Sequence, residues 1–185
     1  MSGPEGGRKR LCVFCGSGVG DAPVFAEAAR ELGRALARRG VGVVYGAGNI
    51  GLMGEVAASA LAEGGEVIGV IPQKLVDLEV CHRELSELHV CDTMHQRKAK
   101  MHELSDAFLA LPGGLGTFEE LFEVLTWHQL DFHAKPVGLL DVDGYFAPLL
   151  AMLRTAEERG FVSEKDRRLL TVGSEVDVVL DTLVG

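Results

Sequence analysis

The chain predicts a single α/β domain, a doubly wound parallel sheet with helices on both faces, and three observations predict it. Short runs rich in Val, Leu, Ile and Phe are apolar at successive positions instead of alternate ones, the mark of strands covered on both faces. Stretches with helical apolar spacing separate these runs from residue 11 onward, which is the order of βαβ units. Glycine-rich turns follow two of the runs, where such sheets bind their ligands. A length of 185 residues, 47% hydrophobic and 24% charged, allows a sizeable core within one domain.

Residues 1–10 are polar, Gly-rich and basic, and are expected to form a disordered arm ahead of a Rossmann-like domain over 11–185. The first strand is expected over 11–14. A helix follows over 22–39, with Asp21 as N-cap, Pro23 in its first turn and Gly40 as its stop. The second strand spans 41–45 and runs into the turn from Gly46 to Gly54, then a helix to about Glu63. Strands over 66–71 and 87–91, a helix over 93–105 and a strand over 107–111 come next. A helix over 118–131, a strand over 136–140, a helix over 145–159, a short strand over 169–172 and a helix over 175–183 complete the chain.

Composition excludes several classes. A formal charge of −9 is wrong for a polymeric nucleic-acid partner, although Arg97, Lys98 and Lys100 form a local basic cluster fit for one small anion. No apolar run approaches the roughly 18 residues of a spanning helix or forms a signal-peptide core, so no membrane partner and a cytoplasmic location are expected. Cys12 and Cys15 flank Val13 and Phe14 on the first strand, and Cys81 and Cys91 do not complete a zinc-finger spacing. Reduced, structural cysteines are the expectation. The six histidines lack HExxH or another paired ligand spacing, so no metal and no cofactor are expected.

The most informative segment is Pro112-Gly113-Gly114-Leu115-Gly116-Thr117-Phe118-Glu119-Glu120. It places glycines, a hydroxyl and two carboxylates between an apolar strand and a helix. Backbone N–H groups at a helix start point at an anion, and Gly113, Gly114 and Gly116 let a ligand approach the main chain without Cβ interference and accept positive φ. Phosphate is the favoured guest. Thr117 and Glu120 also fit a capping box, in which each side chain would satisfy the other's backbone N–H. The run Gly46-Ala47-Gly48-Asn49-Ile50-Gly51 matches GxGxxG, but the third strand ends in Ile71-Pro72-Gln73-Lys74 without the acidic ribose partner of a dinucleotide site. On the helix over 93–105, Met94, Lys98 and Met101 share a face with Arg97 on its flank. Ser17 follows the first strand, lacks a nucleophile-elbow context, and is read as a ligand contact or turn cap.

With those segments in view, the chain over about residues 11–162 resembles the LOG (lonely guy) family of cytokinin-activating phosphoribohydrolases, often mislabelled lysine decarboxylases. Two signatures carry the resemblance: PGGxGTxxE at Pro112 to Glu120, and RKxxM at Arg97-Lys98-Ala99-Lys100-Met101. It implies hydrolysis of the N-glycosidic bond of a nucleoside 5′-monophosphate, preferentially an N6-prenylated adenosine monophosphate, to free base and ribose 5-phosphate. It implies Arg97 and Glu120 as catalytic pair, with Glu79, Lys98, Gly114, Leu115, Gly116, Thr117, Phe118, Glu119 and Thr126 in the nucleotide site, and a homodimer; Ser17 and Gly113 join that site from the turn chemistry above. Gly18, Ala47 and Gln96 depart from the family's common Ser, Gly and Glu.

The transition state of such a cleavage carries positive charge on the sugar, so a nearby carboxylate stabilises it more than the ground state. Glu120 is expected to be ionised near neutral pH and to orient the attacking water. A guanidinium holds its charge permanently, so Arg97 is expected to act through hydrogen bonds and electrostatics, with Lys98 as counter-charge to phosphate. The competing class is a non-catalytic nucleotide or cofactor carrier of the same fold. Decarboxylation is the other rival, and no pyridoxal phosphate motif accompanies it.

Overall fold

The computed structural model describes residues 7–76 and 84–185. Within them, β1 (Arg10–Phe14), β2 (Gly42–Tyr45), β3 (Val67–Pro72), β4 (Glu87–Cys91), β5 (Ala107–Ala110), β6 (Val137–Leu140) and β7 (Leu170–Gly173) form one sheet. Its order is β4-β3-β2-β1-β5-β6-β7, and all neighbouring pairs are parallel. The helices are α1 (Pro23–Arg38), α2 (Gly51–Ala62), α3 (Gln73–Val76), α4 (Met94–Leu104), α5 (Leu115–Gln129), α6 (Ala147–Glu158), α7 (Glu164–Arg167) and α8 (Val176–Leu183).

Two cores follow from the two-residue period of the strands. Leu11 and Val13 of β1 face the core containing Leu32 and Leu36 of α1, Val56 of α2 and Leu180 of α8. Cys12 and Phe14 face the other core, with Met101 of α4, Leu121 and Val124 of α5, and Phe146. Full burial of each such Leu or Phe contributes about 1.5–3 kcal/mol. Phe14 stacks on Phe108 at 6.0 Å between centroids, and Phe108→Ala would cost about 3–5 kcal/mol by the cavity it leaves.

The sheet changes direction between β1 and β5. After β1 the chain crosses on the first face through α1, and after β5 it crosses on the second through α5. The two outgoing turns diverge and leave a crevice at the carboxyl ends of these strands, which is where open α/β sheets bind ligands. Register aligns the ends, with Phe14 opposite Ala110, and the Gly16 N–H donates to the Pro112 carbonyl at 3.0 Å.

Several boundaries differ from the sequence reading. Arg10, expected in the arm, opens β1 opposite Gly42; its guanidinium pairs with Glu66 at 2.9 Å and its N–H donates to Asp106 at 2.8 Å. Ala22, not Asp21, is the N-cap of α1, and no side chain caps it. α6 starts at Ala147, because Asp143 and Gly144 adopt positive φ of 53° and 69° and turn the chain first. The short α3 and α7 carry too few residues for a periodic signal. No helix among the described residues is long and apolar enough to cross a membrane.

Candidate active site

α5 begins at Leu115, three residues before the position its apolar spacing indicates, with Gly114 as N-cap and no side chain capping it. The Thr117–Glu120 capping box does not form. Thr117 is inside the first turn and only 3% exposed. The first N–H groups of a helix have no intrahelical acceptor, so those of α5 are free to bind an anion. The glycines of the turn serve different ends. A Cβ on Gly113 would lie 2.1 Å from Thr117 Oγ1 and 2.8 Å from the Gly16 nitrogen, whereas one on Gly114 or Gly116 would meet nothing within 4 Å. None of the three uses positive φ. Gly113 is therefore needed for packing, and Gly114 and Gly116 leave main chain bare toward open space.

The second glycine-rich turn is closed to a dinucleotide. At the start of α2, the N–H groups of Leu52 and Met53 donate to the carbonyls of Gly18 and Gly16 at 3.1 and 3.3 Å. The donors that would hold a pyrophosphate are thus spent on the β1 turn. Gly51, at φ 64°, lets the Ser17 backbone pass where a side chain would clash at 2.2 Å. Ala47 holds φ 63° while fully buried, a left-handed conformation that costs a non-glycine residue about 1–2 kcal/mol.

Gly46 has a different task, which is to admit Arg97. α4 starts with a complete capping box: Thr93 Oγ1 accepts from the Gln96 N–H at 3.2 Å, and Gln96 Oε1 accepts from Thr93 N–H at 3.3 Å and Asp92 N–H at 2.9 Å. Gln96 thus supplies the acceptor that a Glu would supply there. The buried residues of α4 are Arg97 and Met101, one turn apart, while Met94 is exposed. Met94, Lys98 and Met101 keep their expected helical spacing, but the face they share runs from exposed at Met94 to buried at Met101. Arg97 is 9% exposed, and its Nε and Nη2 donate to the carbonyls of Val70 and Gly46, each at 3.0 Å. The guanidinium is fixed on β3 and on the first residue after β2, with Nη1 left toward Met94 Sδ at 3.8 Å.

Glu120 stands beside it on α5. It lines a void of about 10 Å³ with Phe14, Met101, Phe108 and Val124 and with Lys98, His102 and Glu123. Burial pushes its pKa up to about 7, Arg97 and Lys98 pull it down, and Glu119 and Glu123 add to the rise. Glu120 is therefore not the ordinary low-pKa carboxylate the sequence reading takes it for. Lys98 also departs from expectation. Its ammonium lies 2.5 Å from Glu119 and 2.6 Å from Glu123. Burial disfavours its charge, but these hydrogen bonds prevail and its pKa is raised. Lys98 clamps α4 to α5 and is committed to carboxylates rather than open to phosphate.

The crevice brings together Ser17, Gly113 and Gly114, which line an open pocket of about 580 Å³ with Asp21, Phe25 and Tyr145. Arg97 and Glu120 do not line it. Glu120 packs against residues of the second core, whereas Phe25 of the pocket belongs to the first, so the α5 start lies between pocket and pair. Leu115 turns its side chain to solvent, 87% exposed, and only its backbone faces the helix start. Phe118 packs against the second core, and Glu119 is held by Lys98. Thr126 donates to the Phe122 carbonyl at 2.7 Å and lies twelve residues beyond Gly114, about 18 Å along the helix; this chain does not bring it into the crevice. Glu79 lies outside the described residues. Phe25 and Tyr145 escape the sequence reading, although Tyr145 directly follows an Asp-Gly turn at the end of a strand, where crevice residues gather.

Curated relatives are similar to this chain at high identity. The chain is 48% identical over 170 residues, covering 92% of itself and 76% of the other, to "Probable cytokinin riboside 5'-monophosphate phosphoribohydrolase LOGL1" of Oryza sativa subsp. japonica. It is 45% identical over 175 residues, 95% of itself and 82% of the other, to "Cytokinin riboside 5'-monophosphate phosphoribohydrolase LOG2" of Arabidopsis thaliana. The chain belongs to the LOG family. A family model described as "Possible lysine decarboxylase" matches residues 53–183 of this LOG-family chain. A Schiff-base lysine must reach a neutral amine, whereas Lys98, beside the α5 start, is held charged between two carboxylates. Among solved structures, the molybdenum cofactor binding protein of Rippkaea orientalis is similar at TM-score 0.73 and 22% identity, over 96% of each chain. The molybdenum cofactor carrier protein of Chlamydomonas reinhardtii is similar at TM-score 0.72 and 22% identity, over 96% of this chain and 98% of that one. These show that the LOG-family chain has their fold.

Proposed function

We propose that this LOG-family chain hydrolyses the N-glycosidic bond of an adenosine 5′-monophosphate, with N6-prenylated forms preferred, releasing the free cytokinin base and ribose 5-phosphate. The observation that carries the proposal is one helix start: the uncapped N-terminus of α5 with Glu120 six residues from its N-cap, about 9 Å along the axis. Phosphate held by the N–H groups after Gly114, with the Ser17 hydroxyl nearby, would direct the sugar toward Glu120 and Arg97. Glu120, as carboxylate, takes a proton from water as the water oxygen bonds to C1′ and the C1′–N9 bond breaks. The bonding electrons leave with the base, which takes a proton from solvent on a ring nitrogen, while Glu120 returns its own proton to solvent and is ready for another turnover. Arg97, desolvated and anchored on two carbonyls, holds the sugar or the departing base without needing to reorganise. Its fork is what Lys could not reproduce.

Two further parts of the proposal concern assembly and environment. Leu115 and Phe122 stand two turns apart on one exposed face of α5, 87% and 40% exposed, and Phe132 beyond the helix is 75% exposed. Burying this face against a second copy, in a homodimer, would remove these exposed apolar side chains from water. Thr126 lies on the same face and would enter that contact. Action in the cytoplasm completes the proposal.

Incubation with AMP and with N6-isopentenyl-AMP, followed by chromatography for free base and ribose 5-phosphate, tests the activity. Release from the prenylated nucleotide supports it. Tight nucleotide binding with no release from either would overturn it in favour of a carrier.

A further inference from the structure

The turn that follows β6 is built rigidly and points at the phosphate cradle. Asp143 and Gly144 both take positive φ, the Tyr145 N–H donates to the Val142 carbonyl at 3.0 Å, and Asp141 accepts the Phe146 N–H at 2.8 Å. The Tyr145 ring is then fixed edge-on against Phe25 and Phe146, at centroid distances of 6.1 and 5.1 Å. Its hydroxyl donates to the Gly113 carbonyl at 2.5 Å. On the other side of the same turn, the Pro112 carbonyl accepts from Gly16 at 3.0 Å. Both peptide planes leading into α5 are thereby pinned by their carbonyl oxygens.

In a trans peptide the C=O and the following N–H point in opposite directions. A hydroxyl that fixes the Gly113 carbonyl therefore fixes the Gly114 N–H on the far side of that plane, at the N-cap of α5. Gly113 and Gly114 carry no side chain to restrict the plane themselves, and no side chain caps the helix. The brace must come from outside.

We propose that Tyr145 is a positioning residue for phosphate binding: its hydroxyl locks the Gly113–Gly114 peptide so that the Gly114 N–H is presented to the anion. This rests on the reading of the α5 start as the phosphate site. The tyrosine acts through the peptide and does not touch the reacting atoms.

Tyr145→Phe removes the hydroxyl and keeps the ring, and Tyr145→Leu removes both. One hydrogen bond's orienting effect predicts that Tyr145→Phe weakens ribose 5-phosphate binding, measured calorimetrically, by roughly three- to tenfold. The KM for AMP should rise by a similar factor and kcat should fall less, while inhibition by free adenine, which has no phosphate, stays at the wild-type level. Tyr145→Leu should lower Tm further and add little to the binding loss. Wild-type ribose 5-phosphate binding in Tyr145→Phe, with loss appearing only in Tyr145→Leu, would overturn the proposal by showing that the ring alone matters. If the wild-type chain failed to hydrolyse nucleotides yet Tyr145→Phe still weakened ribose 5-phosphate binding, the proposed activity would fall and the role of Tyr145 would stand.

Discussion

Nη2 of Arg97 occupies the space in which a side chain on residue 46 would begin: it donates to the Gly46 carbonyl at 3.0 Å and lies 2.0 Å from where a Cβ would be. The first glycine of a dinucleotide-like motif is thus the seat of a buried arginine. Gly46→Ala should displace the guanidinium, and a misplacement of about 1 Å at a catalytic group costs roughly 100-fold in rate. Steady-state kinetics should show that loss in kcat/KM, with about 1–3 kcal/mol of destabilisation from overpacking. Kinetics within twofold of wild type would mean that the position of Arg97 is not critical.

The raised pKa of Glu120 sets a pH dependence. The proposed base works as a carboxylate, so kcat/KM should climb as pH rises through about 7 and level off above it. Lys98 favours the ionised form, so Lys98→Gln should move the inflection to higher pH. A profile flat from pH 5.5 to 8 would remove Glu120 from the role of base.

The same residue predicts a gain in stability when its function is removed. A folded-state pKa above the unfolded one means that the folded protein binds the proton more tightly, so this contribution is fully present below about 4.5 and lost as pH rises through about 7. Glu120→Gln should therefore abolish turnover while raising stability at pH 8–9 by on the order of 2–3 kcal/mol. Chemical denaturation at pH 5 and pH 9 measures the difference. Equal effects at both pH values would contradict the burial of an ionisable carboxyl.

The two leading glycines of the cradle should separate folding from binding. Gly113→Ala meets Thr117 and the Gly16 backbone and should lower Tm. Gly114→Ala meets nothing within 4 Å and should fold with at most about 1 kcal/mol lost at the N-cap, yet raise KM for AMP by placing a methyl where the ligand lies. Unchanged KM in Gly114→Ala would show that the open space beside it is not used.

The strands and long helices were legible because residues such as Leu11 to Phe14 and Ala107 to Ala110 are apolar on both faces, a signal that survives without coordinates. The order of strands was not, since no local pattern says that β1 pairs with β5; only the diverging turns after Phe14 and Ala110 reveal the crevice. The cradle and the Arg97–Glu120 pair were read through the family resemblance together with helix-start chemistry. What sequence could not supply was each side chain's neighbours. Lys98 reads as a phosphate ligand until Glu119 and Glu123 are seen beside it, and Glu120 reads as an ordinary carboxylate until Phe14, Met101 and Phe108 are found around it. Tyr145 and Phe25 reach the pocket from other crossovers, across sequence distances that no motif spans.

Because Arg97 hangs on a carbonyl inside β3 and on the first residue after β2, the proposed catalytic pair is tied to the central sheet. Turnover in rising urea should persist until the sheet itself melts, and the loss of activity should superimpose on the loss of far-ultraviolet circular dichroism. The enzyme would then serve as its own reporter of whether the central strands remain in register.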